Sequence, residues 1–458
     1  MEVTWLVQKD SSRRGTEAFH SIARELFVPR GVVYTLRHAG KVCWLMCCVA
    51  ASVVGDSTAF GLQPPNMVAG AIGKAAAYLV SLQGADGTWD DRTGHGLGQT
   101  ALATLALLSA GWPADNRSIQ AAAHAMRERA IGNSNTYDIA LVIMALDRLG
   151  NPRDADLLRT LGTRLSTGQC AHGAWSYTVD RGCGGGDNSN TQFAALAAWV
   201  SRRHGVENDA AMRRLDSYFR TSFDNPGRGW GYTPGSPPTP TMTCAGLVGI
   251  AIQRGAQQQR DRDAPQGSPG GGRPTQGGPR QPAIADDPFA KRALEALGEE
   301  LKMADRNGAA PLNGDLYFFW SLERVAVIYD VRRIGGIDWY EWGSRRLLHG
   351  QSPSGEWQGR SGTKGWPFDK AVGTSFGILF LCRANVAEDL TASVGEGGGG
   401  GVGKPLPGGG GGSQTFRRAS DLDAAPASTD RPSSPPTGNS RRPPPAKPSP
   451  KPGTLNPF

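Results

Sequence analysis

Residues 117–149, RSIQAAAHAMRERAIGNSNTYDIALVIMALDRL, hold two helices of opposite character joined by a short polar turn. In Arg117–Ala130, Ile119, Ala122, Ala123 and Met126 fall at i, i+3, i+4 and i+7 with Arg and Glu between them, so one face is solvated. Tyr137–Leu149 is apolar nearly all round, and a helix of that kind is stable only when other elements enclose it. Between the two, Asn133, Ser134, Asn135 and Thr136 are residues whose side chains cap the free N–H groups of a first helical turn.

The same alternation extends in both directions. Val68–Gln83, Arg117–Ala130, Arg153–Ser166, Glu207–Thr221, Pro288–Met303 and Asp338–His349 are amphipathic. They alternate with Thr100–Ala110, Tyr137–Leu149, Thr191–Val200, Thr243–Ile252, Leu316–Tyr329 and Thr374–Leu381, which are apolar on every side and rich in small residues. Strong strand signals are nearly absent. Six helices enclosed by six others in strict order predict an all-α chain, an (α/α)6 toroid of six helical hairpins over residues 66–385 with the amphipathic set outside. An open solenoid of hairpins is the alternative, and it leaves an apolar end uncovered. Further cap clusters at Asp187–Thr191, Thr239–Thr241 and Asn313–Asp315 mark helix starts, and Gly111, Gly150, Gly205, Gly255 and Gly335-Gly336 mark helix ends.

Composition bounds the rest. The chain has 458 residues, with 63 Gly and 32 Pro. The excess of both lies in 254–287 and 386–458, which lack apolar periodicity and predict a low-complexity insert and a disordered tail. The formal charge of +8 is spread along the chain, whereas a nucleic-acid binder concentrates its charge in a stripe or cluster, so no nucleic-acid partner is expected. Val42–Gly55 is an apolar run behind Arg37, His38 and Lys41, too short to span a bilayer and followed by the small residues Ser57 and Ala59. That is the pattern of a secretory signal. Residues 1–59 are therefore expected to be an N-terminal extension with a signal peptide, and the mature chain to be exported to periplasm, cell envelope or medium without a transmembrane anchor. The length ahead of the charged flank suggests that translation begins at Val32 or Val33. Of the cysteines left after signal removal, Cys170 and Cys183 are placed to bridge in an oxidising compartment, and Cys244 and Cys382 complete the set. No CxxC pair or Cys/His zinc spacing is present among the four, so no metal is expected, and no cofactor is implied.

A short pattern recurs ahead of some apolar helices: Gln, three residues, Gly, any residue, Trp. It stands at Gln83–Trp89 (QGADGTW), Gln169–Trp175 (QCAHGAW) and Gln351–Trp357 (QSPSGEW), with a degenerate copy, lacking the Gln, at Pro226–Tyr232. Gln bonds exposed backbone at a helix end, Gly turns the chain, and Trp covers the neighbouring hairpin with a rigid face. The pattern resembles the QW motif, the prenyltransferase and squalene-oxidase repeat of terpenoid cyclases. Segments such as Ser189–Phe193, and Asp315–Asp330 followed by Ile334–Tyr340, are also similar to exported bacterial proteins built on this repeat without an assigned reaction. The resemblance implies the α/α toroid and makes Gln83, Trp89, Gln169, Trp175, Gln351 and Trp357 structural clamps.

The chemistry that such relatives perform is not carried over. The Asp-x-Asp-Asp acid of class II cyclases is missing, its nearest string being Asp261-Arg262-Asp263-Ala264 in the insert. Cys244 lacks the Asp two residues before it that a zinc prenyltransferase needs, and Gly182-Cys183-Gly184-Gly185 lacks the Gln of a thioester ring. Asp187 and Asp315 are candidate catalytic acids at the mouth where inner-helix N-termini would gather, or else helix caps. Tyr317, Trp320, Phe193 and Phe376 are candidate ligand-binding aromatics, or else ring filling. Glu323, beside Arg324, is the oddest residue of the apolar helices and joins the ligand-binding candidates. Two functions stay open: a toroid that binds an apolar, isoprenoid-like ligand or a protein, and a divergent enzyme. The enzyme is either a cyclase or transferase acting on isoprenoids, similar to squalene cyclases and prenyltransferases, or a glycan-active α/α barrel with paired carboxylates.

Overall fold

Each amphipathic stretch forms a helix with one wet face: α1 (Pro65–Ser81), α3 (Arg117–Arg129), α5 (Ala155–Thr167), α7 (Asp209–Thr221), α9 (Pro288–Asn307) and α11 (Trp339–Gly350). Each apolar stretch forms a helix between them: α2 (Gly96–Ser109), α4 (Thr136–Leu149), α6 (Asn188–Ser201), α8 (Pro240–Asp263), α10 (Leu316–Ile328) and α12 (Lys370–Cys382). A thirteenth, α13 (Glu388–Val394), follows. The computed structural model describes residues 65–89, 96–180, 182–263, 283–307, 315–361, 366–367 and 369–394. The expected signal peptide within 1–59, residues 264–282 of the expected insert and the tail from 395 lie outside the described residues. Among the described residues the only strands are two antiparallel pairs of two residues each, β1 (Arg333–Ile334) with β2 (Ile337–Asp338) and β3 (Arg360–Ser361) with β4 (Trp366–Pro367). The chain is all-α. None of the described helices is long and apolar enough to cross a membrane.

The apolar helices pack on one another in sequence: α2 on α4, α4 on α6, α6 on α8, α8 on α10, α10 on α12, and α12 back on α2. Around them α1 lies on α12 and α2, α3 on α2, α5 on α4 and α6, α7 and α9 on α8, and α11 on α10 and α12. Every residue of α6 and of α10 is buried. Small residues permit the close approach. Gly246 and Gly249 of α8 lie against the rings of Trp230 and Phe219, and a Cβ at either position would land on the ring.

The three Gln–Gly–Trp repeat loops act as equivalent clamps. Gln83 Nε2 donates to Gly87 O (2.8 Å) within its own loop and to Ser118 O (2.9 Å) in α3. Gln169 Nε2 bonds Gly173 O (2.8 Å) and Ala211 O (3.0 Å) in α7, and Gln351 Nε2 bonds Gly355 O (2.8 Å) and Ala71 O (2.9 Å) in α1. Each Trp reaches the opposite way, to the C-terminal part of the preceding amphipathic helix: Trp89 Nε1 to Leu79 O (2.7 Å), Trp175 to Leu165 O (2.7 Å) and Trp357 to Leu347 O (2.8 Å). Trp230 of the degenerate copy keeps that bond, to Phe219 O at 2.7 Å. The backbone N–H of each Trp donates to a threonine hydroxyl of the next apolar helix: Thr100, Thr191, Thr243 or Thr374. The repeat glycines Gly87, Gly173 and Gly355 have φ of 80°, 106° and 105°, and a Cβ on each would strike Ala121, Arg214 or Lys74 of the clamped helix.

Three expectations need correction. Helix α8 does not end at Gly255 but runs to Asp263, ten residues into the segment assigned to the insert. Gly255 is small because Leu390 and Trp199 press on it, and Gln257, Gln259 and Arg260 beyond it are good helix formers with partners in Asp261, Arg202 and Asp209. The tail does not begin at 386. Ala387, Leu390 and Val394 are buried in α13, which packs on α8 and α10, and Asp389 accepts from Trp199 Nε1 (3.1 Å) and Arg203 Nε (3.1 Å). Gly335-Gly336 does not end a helix but forms the turn between β1 and β2, while α10 gives way at Asp330, φ 50°.

Candidate functional site

Four of the six apolar helices begin on side-chain caps. Asn135 accepts from Asp138 N in α4, Asp187 from Asn190 N in α6, Asp315 from Phe318 N in α10 and Asp369 from Ala371 N in α12. The first two turns of five of the apolar helices converge on one small hollow, with about 30 Å³ of enclosed space. Gly98, Gln99 and Leu102 of α2, Tyr137 and Leu141 of α4, Ser189 and Phe193 of α6, Tyr317 of α10, and Val372 and Phe376 of α12 line it. The wall is mostly carbon. Beneath it the aromatic rings form one stack: Phe193 on Tyr317 (5.9 Å between centroids), Tyr317 on Phe376 (5.7 Å) and Phe376 on Trp320 (5.3 Å), with Tyr137 edge-on to Phe193 (5.2 Å).

A polar thread runs from the hollow into the core. Tyr137 OH donates to Ser189 Oγ (2.7 Å), Ser189 Oγ pairs with Tyr317 OH (2.9 Å), and Gln192 Nε2 donates to Tyr317 OH. Arg324 Nη2 donates in turn to Gln192 Oε1 (2.8 Å) and to Ser321 Oγ (3.1 Å). Tyr137 gives its proton to Ser189, so only one of the Ser189 and Tyr317 protons is used between those two. Both residues are among those lining the hollow, with their hydroxyls engaged in this buried network. The hollow therefore offers almost wholly apolar walls above a buried network of hydroxyls.

No protein-family model and no curated protein matches the chain.

The structure places the expected residues unevenly. Phe193, Tyr317 and Phe376 line the hollow, and fully buried Trp320 closes it from below. Glu323 does not belong to it. It lies one turn deeper on α10, with both carboxylate oxygens buried and without a hydrogen-bond partner, in the field of Arg324 and Arg383. Burial pushes its carboxyl up to about 8, against the pull of the two guanidiniums. The Arg324 guanidinium sits 3.8 Å over the Trp320 ring and 5.5 Å over Phe193, and burial lowers it to about 10, so it stays charged at neutral pH.

Asp187 and Asp315 are both caps. Asp187 Oδ1 accepts from Asn190 N (2.8 Å) and Oδ2 from Asn190 Nδ2 (2.8 Å), while burial raises its carboxyl above the ordinary range. Asp315 accepts from Phe318 N (3.0 Å) and, at 3.4 Å, from Thr241 Oγ1. Neither lines the hollow. Gln83, Trp89, Gln169, Trp175, Gln351 and Trp357 are all in the clamps and away from it.

Tyr137, Ser189, Gln192, Gln99, Leu102 and Val372 belong to the site or its polar thread and were not singled out by sequence. A signal for them exists. Tyr137, Ser189 and Tyr317 each stand two residues after the cap of their helix, and Leu141 and Phe193 stand six after it, so equal spacing from the cap puts them on one face. The fold also brings together Cys170, His172 and Cys183, whose spacing is that of no common zinc motif. Cys170 and Cys183 form a disulfide, 5.2 Å between Cα atoms, while Cys244 and Cys382 are free.

Proposed function

We propose that the chain is an exported (α/α)6 toroid, akin to the QW-repeat terpenoid cyclases in architecture, that binds an apolar, isoprenoid-like molecule at the mouth of its inner helices without transforming it. The carrying observation is the convergence of the first two turns of five apolar helices on a carbon-walled hollow floored by aromatic rings. The end of an isoprenoid chain matches that surface, laid on the Phe193, Tyr317 and Phe376 rings. Support for closure into a toroid comes from the packing order, in which α12 returns to α2, and from Gln351, which bonds the first helix of the fold. Support for export comes from the Cys170–Cys183 disulfide, a bond that persists in oxidising compartments. A catalytic reading through Asp187 or Asp315 gains nothing from the geometry, since both carboxylates are engaged as caps outside the hollow.

Calorimetric titration with farnesol and geranylgeraniol tests this. The wild-type chain is expected to take up one prenol per molecule, and Val372→Trp, which fills the half-buried rim, to weaken it by tenfold or more. Prenols that fail to bind up to their solubility limit, or bind Val372→Trp as well as the wild type, would sink the proposal.

A further inference from the structure

Within the second QW loop the three clamps differ. The residue three before each repeat Trp is Asp86 in the first copy, His172 in the second and Ser354 in the third. Asp86 accepts from Thr88 N (3.2 Å) and Thr88 Oγ1 (2.8 Å), and Ser354 Oγ bonds Glu356, so both side chains are engaged within their own loop. His172 has Ala174 two residues on, where the other copies have Thr88 and Glu356, makes no hydrogen bond among the described residues, and rests its ring 5.5 Å from that of Tyr218. The residue five before the Trp is Gly84, Cys170 and Ser352 in the three copies, so the cysteine too is peculiar to this loop. Cys170 is anchored, its N–H donating to Ala174 O (2.9 Å) and its carbonyl accepting from Gly173 N (2.9 Å). Cys183 is exposed between Gly182 and Gly184, and neither glycine nor Gly185 has close neighbours at its Cβ position. The ligand atoms of Cys170, His172 and Cys183 lie within 4.8 Å of one another, with His172 and Cys183 exposed to solvent.

We propose that this loop is a redox-gated site for a thiophilic divalent cation, Zn(II) by its donor set: closed as the disulfide, and open to metal when Cys170 and Cys183 are reduced. Opening is a two-electron step. An external dithiol attacks the disulfide, gives two protein thiols and leaves as its own disulfide. Metal binding then forms two Zn–S bonds and one Zn–N bond, the two thiols releasing two protons and His172 binding as neutral imidazole. Tetrahedral geometry with Zn–S bonds of about 2.3 Å sets the two sulfurs roughly 3.8 Å apart. The movement falls to Cys183, whose glycine neighbours and exposure let it swing while Cys170 stays on the clamp. Two thiolates and one imidazole are three ligands, which leaves the fourth position to water on the exposed side. Such a set selects a soft cation over Mg(II) or Ca(II), which take oxygen ligands.

The test uses the full chain, reduced with a phosphine, freed of reductant without oxygen, and titrated with Co(II) and then Zn(II). Reduced wild type is expected to bind one Co(II) with a thiolate-to-metal charge-transfer band, and Zn(II) to displace it. The oxidised chain is expected to give no band. His172→Ala is expected to weaken Zn(II) at least tenfold, while Cys170→Ser/Cys183→Ser, which keeps the remaining cysteines, gives the background. Circular dichroism of the reduced chain shows whether the helices persist, and the Co(II) band is read on that same sample. A reduced wild type no better than the double variant, or a His172→Ala affinity equal to wild type, would overturn the proposal.

Discussion

At the residue scale, Glu323 shows how far a helix apolar on every side tolerates an acid. Its oxygens have no hydrogen-bond partner, and desolvation makes the neutral form the stable one. In the unfolded chain the same carboxyl titrates near 4.5, whereas in the folded chain it titrates near 8. Below the lower value both states hold the proton and stability is full. As pH rises from the lower to the higher value the unfolded state loses a proton that the folded state keeps, so stability falls across that window and then levels. Glu323→Gln keeps the volume and removes the titration. Its melting temperature is therefore expected to equal that of the wild type near about pH 5, and to exceed it by several degrees near about pH 8. Differential scanning calorimetry at the two pH values checks this, and an equal gap at both would refute it. The sequence marks Glu323 as out of place, since a charged residue within an apolar run is conspicuous. It does not show which way the side chain points, and that direction separates Glu323 from the hollow that Tyr317 and Phe376 line. The roles of Asp187 and Asp315 were legible as caps because cap chemistry is local.

At the element scale, the repeat loop works because three of its residues act on three different helices. Gln169 holds the start of α7, Trp175 holds the end of α5 and, through its N–H, Thr191 of α6. Gly173 makes the assembly possible, being in left-handed backbone with no room for a Cβ beside the Arg214 carbonyl. Gly173→Ala is thus expected to destabilise the fold by about 2 kcal/mol or more in urea unfolding, combining strain with steric conflict. Gly182→Ala, with nothing within 4 Å of its Cβ position and no positive φ, is the matched control and is expected to change stability little. A small loss at Gly173 would mean that the clamp yields instead of the chain. The clamps were legible in the spacing of Gln, Gly and Trp, and so were all twelve long helices, six by a 3.6-residue periodicity sustained over several turns and six by runs apolar on every side. The continuation of α8 past Gly255 and the short α13 were not. Both owe their stability to each other, through Leu390 against Gly255 and Arg262 on Ser393, and contacts between distant segments leave no local pattern.

At the scale of the whole molecule, the three Gln clamps are chemically alike but differ in what they join. Gln83 and Gln169 bond helices that follow within the chain by a few tens of residues, whereas Gln351 reaches Ala71, 280 residues earlier. Gly355 likewise lies against Lys74, and α1 packs on α12. Loop closure over that separation costs more entropy than over a neighbouring hairpin, so the last clamp holds the contact with the least help from the chain. Gln351→Ala removes two backbone bonds of about 1 kcal/mol each and leaves the carbonyls of Ala71 and Gly355 without that donor. Its effect should be local to the join. Hydrogen exchange is expected to speed in α1 and in the 351–357 loop by tenfold or more, while α6 and α8, on the far side of the packing order, keep wild-type protection. Gln169→Ala is expected to do the reverse, loosening α7 and leaving α1 unchanged. Uniform acceleration in both variants would mean that the helices open as one unit, and that no single clamp governs where the first meets the last.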